Sequence, residues 1–116
     1  MNLQSVDTSG RLADVAGVQS PARGDLVAPT ELIAKTRATF RLLALDAVER
    51  AAAARASSVR IDMGGVQAVD SSGLGVFVLL HKRATERGLR VRLRDTPSHV
   101  VELLELTRLR PLFDLV

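Results

Sequence analysis

The hydrophobic pattern predicts two strands separated by a buried helix in the second half of the chain. Residues 59–63 and 89–94 alternate apolar and polar side chains, as a strand with one covered face does. Between them, residues 74–80 are continuously apolar, which indicates a buried helix. We expect this helix to span about residues 72–87 and to end at Gly88.

A long helix is predicted upstream, from Pro29 to Arg55. Pro favours the first turn of a helix, and no Gly or further Pro follows until after Arg55. The apolar stripe of this helix is wide, because Leu42, Leu45 and Val48 extend it beyond one face. That width has two explanations. The one we favour is a break in the helix or a wide core face, and the other is a surface that binds a partner.

The two ends of the chain complete the pattern. A third helix is predicted from Thr96 to about Leu106, with Thr96 as its N-cap, and residues 112–116 predict a last strand. The side chains of this helix that we expect to face the sheet are Val100, Val101, Leu103 and Leu104. Residues 1–23 predict two short strands around Thr8–Gly10 and a connection. Strands and helices at this spacing predict one α/β domain, with a mixed open sheet of about four to five strands and helices packed on one face.

Composition excludes several classes of function. The 116 residues suffice for one domain with a core, and the absence of Cys excludes disulfides, a thiolate metal site and a Cys nucleophile. The net charge of +3 is spread along the chain, and the only aromatic residues are three Phe, so direct nucleic-acid binding is not expected. With no signal-peptide pattern and no apolar run near the roughly 20 residues of a membrane span, we expect a cytoplasmic protein without membrane insertion.

The segment Asp70–Gly75 carries the most specific pattern of the chain. Its sequence, Asp-Ser-Ser-Gly-Leu-Gly, places Ser71 and Ser72 at the start of the buried helix. A Ser at this point can cap unpaired backbone N–H groups, with Gly73 and Gly75 permitting tight packing. The same N–H groups and the helix dipole would also favour a phosphate attached to that Ser. Taken alone, these residues favour the capping role.

Other candidate sites are weak. The Gly73–Gly75 segment lacks the third Gly of a dinucleotide fingerprint and the Lys of a phosphate-binding loop. His81 and His99 are isolated from each other and from carboxylates at ligand spacing. Ser71 has no recognisable His base, which argues against a hydrolase. We therefore expect no enzymatic activity, no metal and no cofactor.

Taken together, these features resemble the STAS-domain family, and more narrowly the bacterial anti-sigma factor antagonists. The resemblance rests on Asp70–Gly75 before an apolar helix, on Gly88 and the alternating strand after it, and on Pro97 with its Val-Val-x-Leu-Leu helix. Upstream, Gly24–Leu26 is similar to the Gly-Glu-Leu-Asp signature of the family. The resemblance covers residues 24–116, which we interpret as the STAS domain.

The resemblance implies a regulatory switch. In the family, an anti-sigma factor that is also a serine kinase of the histidine-kinase-like ATPase superfamily binds the antagonist at this helix N-terminus and so releases its sigma factor. The kinase phosphorylates the Ser that follows the Asp, here Ser71, and a PP2C-type phosphatase restores it. The implied partner-binding residues are Asp25, Asp70, Ser71, Ser72, Gly73, Leu74 and Gly75, on a monomer or weak dimer. With the resemblance included, phosphorylation is favoured for Ser71.

Two other roles of the same fold stay open. One is a scaffold subunit of a stressosome-like assembly, and the other is a small accessory subunit of a lipid-transport ABC complex. The apolar surplus at Leu42 and Leu45 would suit either role. The chain also departs from the family pattern: the segment between Gly24 and Val59 is long, and Thr107–Arg108 stands where the family commonly has Gly after its third helix. That departure puts a left-handed cap at this position in doubt.

Overall fold

A computed structural model describes residues 25–116 of the chain. The strands, in chain order, are β1 (Asp25–Val27), β2 (Glu31–Leu32), β3 (Ser58–Asp62), β4 (Ala68–Val69), β5 (Arg90–Arg94) and β6 (Asp114–Leu115). The helices are α1 (Arg37–Ala53), α2 (Ser71–Glu86) and α3 (Ser98–Leu106). Two short 3-10 turns, Ala34–Thr36 and Arg110–Leu112, precede α1 and β6. The strands predicted before residue 24 lie outside the described residues.

The described strands form two sheets, and every pair in them is parallel. The main sheet has the spatial order β1–β3–β5–β6, and a two-stranded sheet joins β2 to β4. In parallel pairs of this kind, the helices that connect the strands begin at the carboxyl edge of the sheet. Both α1 and α2 therefore begin at the same edge of the molecule.

Alternation along the strands divides the main sheet into a dry face and a polar face. Val59 and Ile61 of β3 lie in register with Val91 and Leu93 of β5, and all four are buried. The intervening arginines, such as Arg92, point away from this core, as period-two geometry requires. The prediction of an open sheet of about four strands with helices packed on one face is confirmed, whereas the mixed strand directions also predicted are not found in residues 25–116, where every pair is parallel.

The helices cover the dry face through a chain of aromatic contacts. Phe40 of α1 meets Phe77 of α2 edge to face, with ring centroids 5.3 Å apart. Phe77 in turn contacts Phe113, at 5.8 Å between centroids. Such T-shaped pairs add about 0.5–1.5 kcal/mol each beyond the burial of their area. These are the three aromatic residues of the chain, and all are buried.

The three helices of residues 25–116 end in the same left-handed cap. Gly88 has φ +73°, and the N–H of Leu89 donates to the carbonyl of Ala84 at 2.8 Å, as in a Schellman motif. Arg55 and Arg108 occupy the equivalent positions after α1 and α3, with φ of +57° and +61°. The cap after α3 therefore forms without Gly, at the position where the sequence had put it in doubt.

The predicted start of the first helix at Pro29 is wrong. Residues 31–32 form β2, and α1 begins only at Arg37. The extended segment is held by pairing with β4 and by Thr36, whose hydroxyl donates to the carbonyl of Glu31 at 2.7 Å and accepts from the N–H of Ile33 at 3.1 Å. These long-range and turn contacts override the local helix preference.

Three smaller expectations are also corrected. Thr96 does not cap α3: its hydroxyl is buried and makes no hydrogen bond in the described part, and Pro97 holds the N-cap position. Of the α3 side chains expected to face the sheet, Val100 and Leu104 are fully buried, whereas Val101 and Leu103 are half-buried. The last strand is shorter than predicted, because a 3-10 turn occupies its first residue.

The wide apolar stripe of α1 has two explanations. The helix runs unbroken from Arg37 to Ala53, and Val48 lies in the core, so a wide core face accounts for part of the stripe. Leu45 is half-buried, and Leu42 is 55% exposed. The break is excluded, and Leu42 is left facing solvent.

Candidate functional site

Asp70, not a Ser, caps the N-terminus of α2. One carboxylate oxygen, Oδ1, accepts from the N–H of Ser72 at 2.8 Å and from the N–H of Gly73 at 3.2 Å. Asp70 is extended, with φ −116° and ψ −173°, as an N-cap residue should be. The capping role that the sequence offered to Ser71 or Ser72 is therefore wrong, and both hydroxyls are released from it.

The second oxygen of Asp70 ties α2 to the segment before α1. Oδ2 accepts from the N–H of Ala34 at 3.1 Å, and the N–H of Asp70 donates to the carbonyl of Leu32 at 3.1 Å. Desolvation raises the pKa of the Asp70 carboxyl, but the backbone N–H groups of Ala34, Gly73 and Ser72 outweigh it and hold the pKa below its ordinary value. The carboxylate is thus a clamp that joins two elements at the same edge of the sheet.

Gly73 lets β2 approach α2 closely. A Cβ atom at this position would lie 2.1 Å from the carbonyl oxygen of Leu32 and 2.9 Å from its Cβ. Leu32 is fully buried, and it sits in the space that the missing side chain leaves. The sequence expectation of tight packing at Gly73 is confirmed by this contact.

Gly75 has a different environment, two residues further along. Nothing lies within 4 Å of where its Cβ would be, so the packing described for this chain does not require glycine there. A glycine inside a helix costs about 0.5–1 kcal/mol relative to Ala. The expectation of tight intramolecular packing at Gly75 is wrong, and the bare backbone faces solvent.

Ser71 is the first residue of α2 and its side chain is exposed, whereas Ser72 is half-buried. At 100° per residue, Ser71, Gly75, Val78 and Lys82 share the outward side of the helix. Val78 is 44% exposed, an unusual position for a large apolar side chain in the middle of a helix. The exposed apolar side chain of Val78 therefore lies about two helical turns from Ser71 on the same side of α2, with Gly75 between them.

A groove between α1 and α2 begins beside Ser71. Its volume is about 390 Å³, and its walls are formed by Arg37, Arg41, Ser71, Ser72, Gly75, Val76 and Leu79. Arg37 and Arg41 are one helical turn apart on α1, and both are exposed. At the far end of the two helices, Arg87, which follows α2, forms an ion pair with Glu49 of α1.

The remaining predicted site residues fall into two groups. Leu74, near the N-terminus of α2 (the helix mouth), is half-buried and packs against the core. Asp25 lies in β1 rather than at the helix mouth, and its carboxylate accepts from Arg60 at 2.7 Å. Asp70 and residues 71–75 are therefore brought together, and Asp25 is separate from them.

Sequence reasoning missed Arg37 and Arg41. Both stand inside a long predicted helix, where scattered arginines indicated only a solvated surface. Their i, i+4 spacing is the signal that could have marked them as a pair on one helix face. Which neighbouring helix that face meets is set by the packing of α1 against α2, and the sequence pattern does not contain it.

Neither His residue stands in a metal site. The His81 ring contacts Phe113 edge to face, at 6.2 Å between centroids, and His99 is exposed. Within residues 25–116, no three His, Asp or Glu side chains come close enough to hold a metal ion. No helix of this described part has the length and apolar character needed to cross a bilayer.

Comparison with known proteins places the chain in a family. Residues 20–114 match the sequence profile described as "Mlab, STAS domain", and the protein belongs to the STAS-domain family. The fold is similar to the crystal structure of a candidate anti-sigma factor antagonist from Thermotoga maritima, with a TM-score of 0.66 and 18% identity. The match covers 84% of this chain and 82% of the other. Among curated proteins, no significant match is found.

Proposed function

We propose that the protein is an anti-sigma factor antagonist, with Ser71 as its phosphorylated residue. In this role it binds an anti-sigma factor that is also a serine kinase, and so releases the sigma factor that the kinase holds. The observation that carries the proposal is the exposed Ser71 hydroxyl at the start of α2, freed from capping by Asp70. Within residues 25–116, no group of His, Asp and Glu side chains beside it could hold a metal ion.

The surface around Ser71 suits a protein partner. Gly75 leaves the backbone of α2 open to close approach, and the exposed side chain of Val78 on the same side of the helix offers an apolar contact. Arg37 and Arg41 add positive charge at one edge, which favours an acidic partner surface. Apolar contacts flanked by charge are typical of specific protein interfaces.

Phosphorylation of Ser71 would end the interaction without unfolding the domain. The Ser71 oxygen attacks the γ-phosphorus of ATP on the kinase, the bond to the bridging oxygen breaks, ADP leaves, and the hydroxyl proton passes to a base of the kinase. The product carries about −1.5 to −2 charges at the centre of the contact surface. Because Asp70 caps α2 and the Ser71 hydroxyl makes no hydrogen bond within residues 25–116, the change would act on the interface and not on the fold.

Titration calorimetry of two Ser71 variants tests the proposal. Ser71→Ala should bind the kinase as the wild type does, since Asp70 already caps the helix. Ser71→Asp should bind at least a hundredfold more weakly, because about 3 kcal/mol of desolvation and repulsion corresponds to that factor. Circular dichroism should show both variants folded. Equal binding of the two variants would refute the proposal.

Ser57→Asp provides a matched control. Ser57 is also exposed, but it precedes β3 at the opposite edge of the sheet. The same added charge there should leave binding unchanged. Mass spectrometry after incubation with the kinase and ATP should locate the phosphate on Ser71, and its exclusive presence on Ser72 would overturn the assignment.

Size-exclusion mass separates the proposal from a scaffold role. An antagonist should behave as a monomer or weak dimer, whereas a scaffold of a large assembly should form large particles. Large particles together with equal binding of Ser71→Asp and Ser71→Ala would favour the scaffold role. In the proposed cycle, a PP2C-type phosphatase removes the phosphate from Ser71. We propose that this cycle takes place in the cytoplasm.

A further inference from the structure

Two arginines at the α1–α2 groove have no carboxylate partner in residues 25–116. Six other arginines form ion pairs with Asp or Glu there, among them Arg60 with Asp25 and Arg90 with Asp114. Arg37 and Arg41 make no such pair, although both line the groove that also contains Ser71. Their positive charges therefore stay uncompensated beside the Ser71 hydroxyl.

The backbone of α2 offers little to a phosphate on Ser71. The N–H groups of Ser72 and Gly73 are the ones that a helix N-terminus would normally present to an anion. Both already donate to the Asp70 carboxylate, at 2.8 and 3.2 Å. A phosphate could take them only by displacing Asp70, which would also break the contact of Asp70 with Ala34.

From these two observations we infer that Arg37 and Arg41 are the binding subsite for the phosphate of phosphorylated Ser71. The inference rests on the proposed function and names the residues of this chain that receive the modification. Guanidinium groups suit the role, because each presents a fork of N–H donors that matches phosphate oxygens. The groove, at about 390 Å³, has room for the group.

This subsite changes what phosphorylation does to the partner surface. Two arginine charges of about +2 would be offset by a phosphate of about −1.5 to −2. The groove would lose the positive charge that favours an acidic partner, and the phosphate would be held against α1 instead of pointing into solvent. Loss of binding then has two causes, the added anion and the occupied arginines.

Phosphorus NMR of the protein with phosphoserine installed at position 71 by codon reassignment tests this inference directly. The second pKa of a free phosphoserine is about 6, and a nearby cationic pair lowers it. We expect this pKa to rise by at least about 0.5 in the variant Arg37→Gln with Arg41→Gln, relative to the otherwise unchanged protein. Asp70 is the adjacent anionic group, and it is present in both samples.

The control is Arg92→Gln with Arg94→Gln, which removes the same total charge from the polar face of the sheet. It should leave the phosphate pKa unchanged. An equal pKa in the two double variants overturns the inference, whatever the kinase does with Ser71. Since no kinase takes part, this outcome is distinct from a failure of the proposed function, which the calorimetric titration reports.

A second arm separates the attached phosphate from a free ion. Inorganic phosphate added to the unmodified protein should bind with a dissociation constant above about 10 mM, because only a tethered phosphate gains from a high effective concentration. Saturable binding well below 1 mM, detected by amide shifts in residues of the groove, would show a site for a free anion and overturn the inference.

Discussion

Replacing Gly73 by Ala tests the tightest contact of the site. The added Cβ would lie 2.1 Å from the carbonyl oxygen of Leu32, about 0.9 Å closer than the 3.0 Å that such contacts rarely breach. The obstacle is backbone, which cannot rotate away as a flexible side chain would. Relief therefore requires β2 to move, and that movement stretches the hydrogen bond between the Asp70 N–H and the Leu32 carbonyl.

The expected magnitude follows from three terms. Overpacking a well-filled site costs about 1–3 kcal/mol. Weakening the backbone hydrogen bond adds up to about 1 kcal/mol, and Ala returns up to about 1 kcal/mol because it favours a helix over Gly. Gly73→Ala should therefore destabilise the fold by about 1–3 kcal/mol. The neighbouring Gly75→Ala adds a Cβ in open space, so it should stabilise the fold by about 0.5–1 kcal/mol.

Urea denaturation followed by far-ultraviolet circular dichroism measures both variants, since the chain has no Trp or Tyr for fluorescence. With a slope of about 1–1.5 kcal/mol per M, the two midpoints should differ by at least about 1 M. A Gly73→Ala variant as stable as the wild type would refute the close packing of β2 on α2. Destabilisation by Gly75→Ala would refute the open environment of that residue.

Three further outcomes are expected. Arg55→Gly and Arg108→Gly should each raise the free energy of unfolding by about 0.5–1 kcal/mol. A left-handed conformation costs an L-residue about 1–2 kcal/mol, and Gly avoids this cost but loses part of the gain to the higher entropy of its unfolded chain. An unchanged urea midpoint would contradict this prediction. Because the pKa of Asp70 is lowered in the folded state, its carboxylate stabilises the fold above the unfolded-state pKa near 4, and this stabilisation is lost as pH falls through the folded-state pKa. Between about pH 5 and pH 2.5, the free energy of unfolding should therefore drop more for the wild type than for Asp70→Asn. An equal drop in the two proteins would show that Asp70 does not contribute. Gly75→Ala, although more stable, should bind the kinase more weakly in calorimetry, because its methyl group enters the contact surface; unchanged affinity would place the interface elsewhere.

The parts of the fold that the sequence predicts well depend on local signals. The alternating strand β5, the apolar run of α2 and the cap at Gly88 each carry their own pattern within a few residues. The predicted start of α1 was wrong because β2 is held by its pairing with β4, a strand that lies elsewhere in the chain. A local helix preference is a weak signal against a partner strand that is 37 residues away, as Glu31 is from Ala68.

The candidate site divides in the same way. The motif Asp70–Gly75 located the helix mouth, because its residue types indicate a strand-to-helix junction. The motif does not show which of its residues caps the helix, because Asp and Ser are both good N-caps and only the backbone geometry selects Asp70. Arg37 and Arg41 belong to the site through the packing of two helices, which residue spacing alone does not specify.

The Asp70 clamp determines what kind of recognition this surface permits. It joins Ala34 to Asp70 across 36 residues of sequence, so the shape of the helix mouth exists only when both segments are folded. A short synthetic peptide that contains Ser71 would lack Leu32 and Ala34, and ordering it would cost about 1–2 kcal/mol for each residue fixed. A partner that binds this surface therefore recognises a folded epitope. Neither a peptide nor a misfolded chain can replace the intact domain in that interaction.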